Sequence, residues 1–514
     1  MERKRIAIVG SGVSGVSALW TLKNTQHEVH LFEKEDRLGG HTNTVTWESN
    51  GHSTPVDTGF IVLNTATYPN FIAFLASLKI KTIASEMTFG ISRDQGAFEW
   101  SGTSLSALFA QPTNLFKPSF WRMIFDIVRF NQFSLDLLST SSSSPVNNIS
   151  IGEYLEKEGY SDAFKNDYLI PMTACVWSTG PDKCALEFPV LTLVRFMWNH
   201  HLLTTVAERP PWLTIEGGSK KYINAAIREC TNAKVHLGVA VESATRKDGK
   251  VILRLGGEAE NKVEWFDEVI LACHGDQAFK IIRQTAEPDE TDILSVFETT
   301  PNTAYLHSDL SLMPQRHTAW SAWNYLATSQ RQSKPSTSVY GAPQTVTLTY
   351  NMNILQSLPT NTYGNILVTM NPANPPNPSL TQATFHYRHP LYTAPMVAAQ
   401  ERLEWIQGKR GIWYAGAWTG YGFHEDGFAS GMRVGLRLGG EVTWEVKDAN
   451  FSRGSRPVLD WKDYAVRIVI LGLQLFITVL ERVLVVHRMR GTPEGNGVVH
   501  VNGFGARNGK PKEL

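Results

Sequence analysis

The chain has 514 residues, 42% hydrophobic and 19% charged, long enough for two or three domains with a large buried core, so a miniprotein stapled by disulfides or a metal is excluded. Lys+Arg and Asp+Glu both number 48, so no net charge points to nucleic acid or an acidic substrate. Four cysteines, Cys175, Cys184, Cys230 and Cys273, stand far apart without a CxxC pair, which argues against a zinc site or a disulfide framework. The opening run MERKRIAIVG lacks the continuous apolar core of a signal peptide. The expectation is an intracellular protein in which the sequons at Asn148 and Asn450 arise by chance.

Residues 4–10 (KRIAIVG) predict a short buried parallel strand ended by glycine. Gly10-Ser-Gly12-Val-Ser-Gly15 follows, then a helical stretch over 16–24 and a second strand at Val29–Phe32, one βαβ unit. From about 60 to 214 the pattern turns to aromatic-rich helical segments such as YPNFIAFLASL and FWRMIFDIVRFNQFSLDLL, with a surface loop at the Ser run 139–144 and Pro145. Strands return at 234–240 and 250–255, joined by an Asp248-Gly249 hairpin turn, and VEWFDEVILACHG (263–275) reads as one further strand. Strand patterns alternate from 303 to 370 and end in the Pro/Asn-rich loop NPANPPNPS. The last elements are a strand at GIWYAGAW and a helix at GFASGMRVGLRLGG, beginning near Gly427. The order predicts an α/β fold: a Rossmann-like dinucleotide-binding domain (1–60, 215–300 and 405–445) interleaved with an α+β substrate domain (61–214 and 301–404). A C-terminal hydrophobic helix (446–487) and a flexible basic tail (488–514) follow.

The glycine run gains meaning from its setting. It leaves a strand, enters a helix, and is followed by Glu33 at the end of the next strand. Gly10 permits the tight turn, Gly12 lets backbone N–H groups approach a pyrophosphate, and Gly15 allows close helix–strand packing. The helix start supplies unsatisfied N–H donors for phosphates, and Glu33 would accept from ribose hydroxyls. The competing reading is a plain glycine turn with a solvated Glu at a strand end.

Directly after Glu33 comes Asp36-Arg37-Leu38-Gly39-Gly40-His41. With this second glycine pair the chain resembles the flavin-containing amine oxidase superfamily, which includes phytoene-desaturase-like and protoporphyrinogen-oxidase-like enzymes. The resemblance runs through most of residues 4–440. It implies FAD as cofactor, held by Gly10, Gly12, Val13, Ser14, Gly15, Glu33, Gly39, Gly40 and His41, with Val241 toward the adenine. DEVILACH (267–274) resembles the strand that closes the dinucleotide domain. GIWYAGAWTGYGFHEDGFASG (411–431) resembles the C-terminal flavin motif and implicates Gly416, Asp426 and Gly427. The runs DTGFIVLN, RPPWLTIEGGS and FHEDG resemble a bacterial and fungal subgroup of predicted FAD oxidoreductases.

The last motif also has a physical rationale. A helix starting there aims its positive end at whatever lies in front, which the resemblance makes the flavin pyrimidine ring, with a contribution of about 1 kcal/mol to negative charge on that ring. Simple capping of the helix by Asp426 is the alternative role for that residue. His41 stands where amine oxidases carry Arg, and no cysteine lies in 411–431, so the FAD is expected to be noncovalent. The lysine that many amine oxidases hold near the flavin has no clear counterpart.

Removal of hydride from a C–H bond of a lipophilic or alicyclic small molecule is the expected reaction, of oxidase or desaturase type. The catalytic candidates are His424, Glu425, Trp418 and Tyr421, with His386 and His389 as further acid–base candidates, and no metal is expected. The alternatives are a redox-neutral flavin isomerase of fatty acyl or polyene double bonds, a noncatalytic flavin-binding membrane-associated protein, and an NAD(P)H-driven reductase. The electron acceptor is unspecified by the sequence.

Residues 464–486 (YAVRIVILGLQLFITVLERVLVV) contain an uncharged run, Ile468–Leu480, of 13 residues, below the roughly 20 that span a bilayer. Five Lys or Arg against two Glu follow from 488 on. A peripheral membrane contact through 464–486 is favoured over a core helix or a tilted span.

Overall fold

The computed structural model describes residues 2–139, 149–177, 186–203, 209–329, 343–449, 452–454 and 456–490. Cys184, the Ser-rich loop from 140, the sequon asparagines Asn148 and Asn450, and the basic tail from 491 lie outside the described residues.

The first strand, Arg5–Val9, is apolar on both faces and sits at the centre of a five-stranded sheet. The order across the sheet is Ala233–His236, Glu28–Phe32, Arg5–Val9, Glu268–Leu271 and Ile412–Tyr414, all parallel. Burial on both faces is what a parallel sheet between helices requires. The predicted strand 234–240 is in fact two. Gly238, at φ +67°, breaks it, so Ala233–His236 joins the parallel sheet while Val239–Lys247 starts an antiparallel sheet with Lys250–Gly257 and Val263–Phe266. Asp248 (φ 51°) and Gly249 (φ 74°) make the predicted tight turn between the first two of those. The run 263–275 is likewise two strands. It divides at Asp267, whose carboxylate accepts the Arg5 backbone N–H at 2.7 Å and whose own N–H is donated to the Arg5 carbonyl.

A seven-stranded sheet runs Thr381–Pro390, Thr299–His307, Leu367–Met370, Pro343–Asn351, Trp323–Ser329, Phe89–Arg93, Phe98–Ser101. It is antiparallel except where Trp323–Ser329 meets Phe89–Arg93. The region 60–214 is therefore not uniformly helical: Val62–Asn64, Thr82–Ser85, Phe89–Arg93, Phe98–Ser101 and Trp212–Ile215 are strands. Their alternation is masked because Ser92, Glu99 and Ser101 are buried polar residues that bond within the fold. The helices Pro69–Ser77 and Pro118–Phe133 form as the aromatic spacing predicts.

The helix Val13–Thr21 packs along the helix His424–Arg437, which starts three residues before the expected Gly427. Gly427, Gly431 and Gly435 recur at the four-residue spacing of one helical face. A Cβ on Gly431 would stand 1.9 Å from the Ser14 carbonyl oxygen, and one on Gly435 2.8 Å from Thr21 Cβ. Ser17 Oγ donates to the Phe428 carbonyl at 2.8 Å across this interface. Residues 1–457 form one compact unit and 458–514 a second. The second contains the helix Trp461–Arg490, of which Trp461–Leu480 is long and apolar enough to cross a membrane by length and composition.

Gly431→Val should force the two glycine-paved helices apart. The expected loss is about 1–3 kcal/mol from overpacking, read as a lower melting temperature, whereas Gly102→Ala, where the backbone is not left-handed and a Cβ meets nothing, should cost much less.

Candidate dinucleotide and active site

The parallel sheet ends at the glycine run. Gly10 has φ +101°, and a Cβ there would lie 2.7 Å from the Ala272 carbonyl oxygen. A Cβ on Gly15 would fall 1.9 Å from the Gly10 carbonyl oxygen, so glycine is what lets the helix start against the strand end. Gly12 differs: φ −60° and ψ 179° suit any residue, and nothing stands within 4 Å of its missing Cβ. Steric need inside the chain explains Gly10 and Gly15 but not Gly12. Val13 is half-buried and Ser14 buried, both facing Gly427 of the second helix.

Glu33 lies buried beside this loop. One of its oxygens accepts from the Ser11 N–H (2.9 Å) and the Ser11 hydroxyl (2.6 Å), and the other from the Glu35 N–H. Gly39 donates to the Ser11 carbonyl at 3.1 Å, and a Cβ on Gly40 would sit 3.4 Å from Gly12 Cα, so the second glycine pair lies directly over the first. Val239, two residues before Val241, donates its N–H to the Glu33 carbonyl, and Val241 follows half-buried at a bulge in that strand.

His41 continues from the glycine pair into a group of rings: Tyr387 stacked at 5.0 Å, His389 at 5.1 Å and His274 at 5.9 Å. His41 Nε2 is buried without a hydrogen-bond partner among the described residues. Burial holds all three histidines below the ordinary range, His389 down to about 4, so they are neutral at physiological pH. The Asn302 amide donates to His389 Nδ1 at 2.7 Å, which leaves the ring proton on Nε2. His386 is excluded from this group. Along a strand, residues three apart face opposite sides, and His386 is exposed while Tyr387 and His389 face His41.

The C-terminal motif corrects several expectations. Trp418 is buried, donates its indole N–H to the Cys273 carbonyl at 2.9 Å and packs edge-on against Phe297, so it is a packing residue. Gly416 accommodates it, since a Cβ there would fall 2.2 Å from the indole nitrogen. His424 stacks on Phe60 at 3.6 Å and bonds the Tyr222 hydroxyl at 2.8 Å, which in turn meets Thr42; burial lowers its pKa to about 3. Glu425 caps another helix: its carboxylate accepts from Asn70 N–H, the Asn70 amide (2.6 Å) and Phe71 N–H (2.9 Å) at the start of Pro69–Ser77. The side chains of His424, Glu425 and Trp418 are thus committed to the fold rather than presented to a substrate.

Asp426 is half-buried and accepts the Phe423 N–H at 2.9 Å, the capping role weighed for it, exercised from inside the first turn. Tyr421, the fourth catalytic candidate, is half-buried at the edge of an aromatic group. Its carbonyl accepts the Trp177 indole N–H, and Phe196, Phe423, Phe188 and Tyr392 pack around Trp177.

Sequence reasoning missed His274, Tyr387, Asn43, Thr58 and Asp57. Asn43 and Thr58 both bond the Tyr387 hydroxyl, and Asp57 accepts the Ser219 N–H and hydroxyl, tying DTGF to EGGS. Only pairing of distant segments brings these together; the motif runs DTGFIVLN and RPPWLTIEGGS were the available signal, and they meet as Val62–Asn64 against Trp212–Ile215. Among the described residues no group of three or more His, Cys, Asp or Glu is arranged to hold a metal ion.

A Gly-paved loop between parallel strand and helix, with an acid at the next strand end, defines a Rossmann-like dinucleotide-binding protein, and residues 8–78 match the NAD(P)-binding Rossmann-like domain family. Over 85% of its length the chain shares its fold with solved structures of 14–15% sequence identity. A putative protoporphyrinogen oxidase from Exiguobacterium sp. 255-15 superposes with a TM-score of 0.57 at 15% identity, covering 85% of this chain and 99% of that one. A CLA-producing fatty acid isomerase from P. acnes gives 0.56 at 14% identity, covering 85% and 98%. The L-amino acid oxidase of Cerastes cerastes is 46% identical over 48 residues, which is 9% of this chain and 9% of that oxidase.

Burial raises the carboxyls of Glu425 to about 8 and Asp426 to about 7. In the folded protein these groups keep protons that the unfolded chain releases near pH 4, so their contribution is lost as pH rises through the folded values. The buried histidines act in the opposite sense up to about pH 7.5, because the unfolded chain's imidazoles, with an ordinary pKa near 6.5, still hold protons there. The comparison between two proteins that share those histidines isolates the carboxyl: Glu425→Gln should gain thermal stability relative to the parent as pH rises from 6.5 to about 8. A difference between the two that stays constant with pH would remove Glu425 as a contributor.

Proposed function

We propose that the chain is an FAD-dependent oxidoreductase that removes hydride from a C–H bond of a lipophilic or alicyclic substrate. The observation that carries the reading is the meeting of two helix N-termini, Gly12–Ser14 and His424–Gly427, at the carboxyl ends of the parallel strands, with Gly12 facing no part of the chain. Such a place presents unsatisfied N–H groups to a pyrophosphate and to an electron-accepting ring. In this reading Gly10, Gly12, Val13, Ser14, Gly15, Glu33, Gly39, Gly40, Val241, Gly416, Asp426 and Gly427 hold FAD without a covalent bond, and the orphaned Nε2 of His41 finds its partner there. The segments 1–60, 215–300 and 405–445 carry the cofactor, and 61–214 with 301–404 the substrate.

FAD, when bound, supplies the hydride acceptor. The chain's own part is to exclude water and to place the substrate. Tyr421 and Phe423, half-buried, are backed by the buried rings of Trp177, Phe188, Phe196 and Tyr392, an apolar setting beside the C-terminal motif that suits a lipophilic molecule and offers little to a charged amine. A proton lost from a neighbouring carbon needs a base, and the neutral rings of His41, which follows Gly40, and of His274 and His389 packed around it are candidates for that role. Trp418, His424 and Glu425 act as positioning residues for the motif.

The likeness to the P. acnes isomerase supports a second reading, a redox-neutral double-bond isomerase on the same fold. Product mass separates the two: two hydrogens lost, or none. The protein is expected to be yellow, to release FAD on denaturation and filtration, and to bleach without oxygen when given its substrate. A colourless protein that acquires no flavin spectrum with added FAD would overturn the reading.

Gly12→Val tests the cofactor placement with little effect on the fold, since backbone and space both accept the side chain. FAD affinity should fall by more than about tenfold, roughly 1.4 kcal/mol, while the melting temperature of the cofactor-free protein stays close to that of the parent.

A further inference from the structure

The segment between Glu99 and Asp136 contains a single acid, Asp126. That carboxylate is fully buried and accepts from Arg122 Nε and the Ser161 N–H, so the surface of this segment carries no negative charge. Four large apolar side chains stand out from it. Phe116 is 86% and Leu105 77% exposed, with Trp121 and Leu115 about half exposed. They form one continuous tip: the Trp121 indole N–H donates to the Leu115 carbonyl at 2.8 Å, and its ring lies 5.9 Å from Phe109, at the end of the helix Leu105–Leu108. Pro112 and Pro118 open the two helical turns that carry it, and Lys117, tied to Asn114, adds a positive charge between Phe116 and Trp121.

Leucine and phenylalanine side chains that protrude this far would need matching recessed pockets to pack against another protein. A deformable apolar phase accepts them without a complementary socket. A half-exposed Trp beside a Lys, on a surface free of acids, matches the boundary between acyl chains and anionic headgroups. The same chain also carries the bilayer-length stretch Trp461–Leu480. We propose that the tip formed by residues 105–121 inserts into the interfacial region of a phospholipid bilayer, as a membrane contact distinct from the C-terminal helix.

The test uses the full chain with Cys184 replaced by Ser and an environment-sensitive fluorophore attached at Phe116→Cys. A second protein carries the label at the exposed Asn361→Cys. Vesicles are phosphatidylcholine with and without phosphatidylglycerol. The expected result is a blue-shifted emission at 116, quenched by nitroxide-labelled lipid and stronger with phosphatidylglycerol, and none at 361. Adding Leu105→Asp should weaken that signal by about tenfold, with an unchanged melting temperature because Leu105 makes little of the core. A water-like signal at 116 on protein that floats with vesicles would assign binding to the C-terminal helix alone and overturn the proposal. So would protein that does not float, or a shift that grows with protein concentration in the absence of lipid, which would mark a contact between copies of the chain.

Discussion

The rest of the structure depends on the close approach of two helices, Val13–Thr21 and His424–Arg437, whose starts are more than 400 residues apart in sequence. Glycines at 427, 431 and 435 clear one face of the second helix, so that Val13, Ser14 and Thr21 of the first lie against its backbone. Two positive helix ends are thereby set side by side at the edge of one parallel sheet. Each end presents unsatisfied N–H groups and a partial positive charge, and their adjacency is what the proposed cofactor site rests on.

The residues around this junction divide by what they must do for the chain itself. Gly10, Gly15, Gly427 and Gly431 are required by contact, and His424 and Glu425 are consumed in joining the second helix to Tyr222 and to the start of Pro69–Ser77. Two features have no such use inside the chain: Gly12, where a Cβ would meet nothing within 4 Å, and His41, whose ring Nε2 is unpaired among the described residues. Conspicuous residues in a motif are thus often its scaffold. His424 and Glu425 drew attention as a base and an acid, yet burial keeps the imidazole neutral and tends to keep the carboxyl protonated.

The histidine group shows how a fold can replace one charged residue by several neutral ones. His41 comes from the loop after the second strand, His274 from the end of Glu268–Leu271, and His389 from the edge strand of the seven-stranded sheet. Desolvation and mutual repulsion disfavour charge on each of them.

Local chemistry made the first βαβ unit, the glycine roles, the Asp248-Gly249 turn and the C-terminal strand–helix motif legible in the sequence, because each is set within a few residues by backbone sterics or an apolar run. The splitting of 234–240 at Gly238 and of 263–275 at Asp267 was not legible, since each half pairs with a different sheet. The strands between 82 and 101 were hidden for a similar reason, their buried Ser and Glu finding partners far along the chain. The sequence by itself determined that a dinucleotide loop exists and where it starts. Tertiary structure alone decided which side chains face it, because the partners of Glu425, His41 and Asp57 come from segments that only folding brings within hydrogen-bonding distance or ring contact.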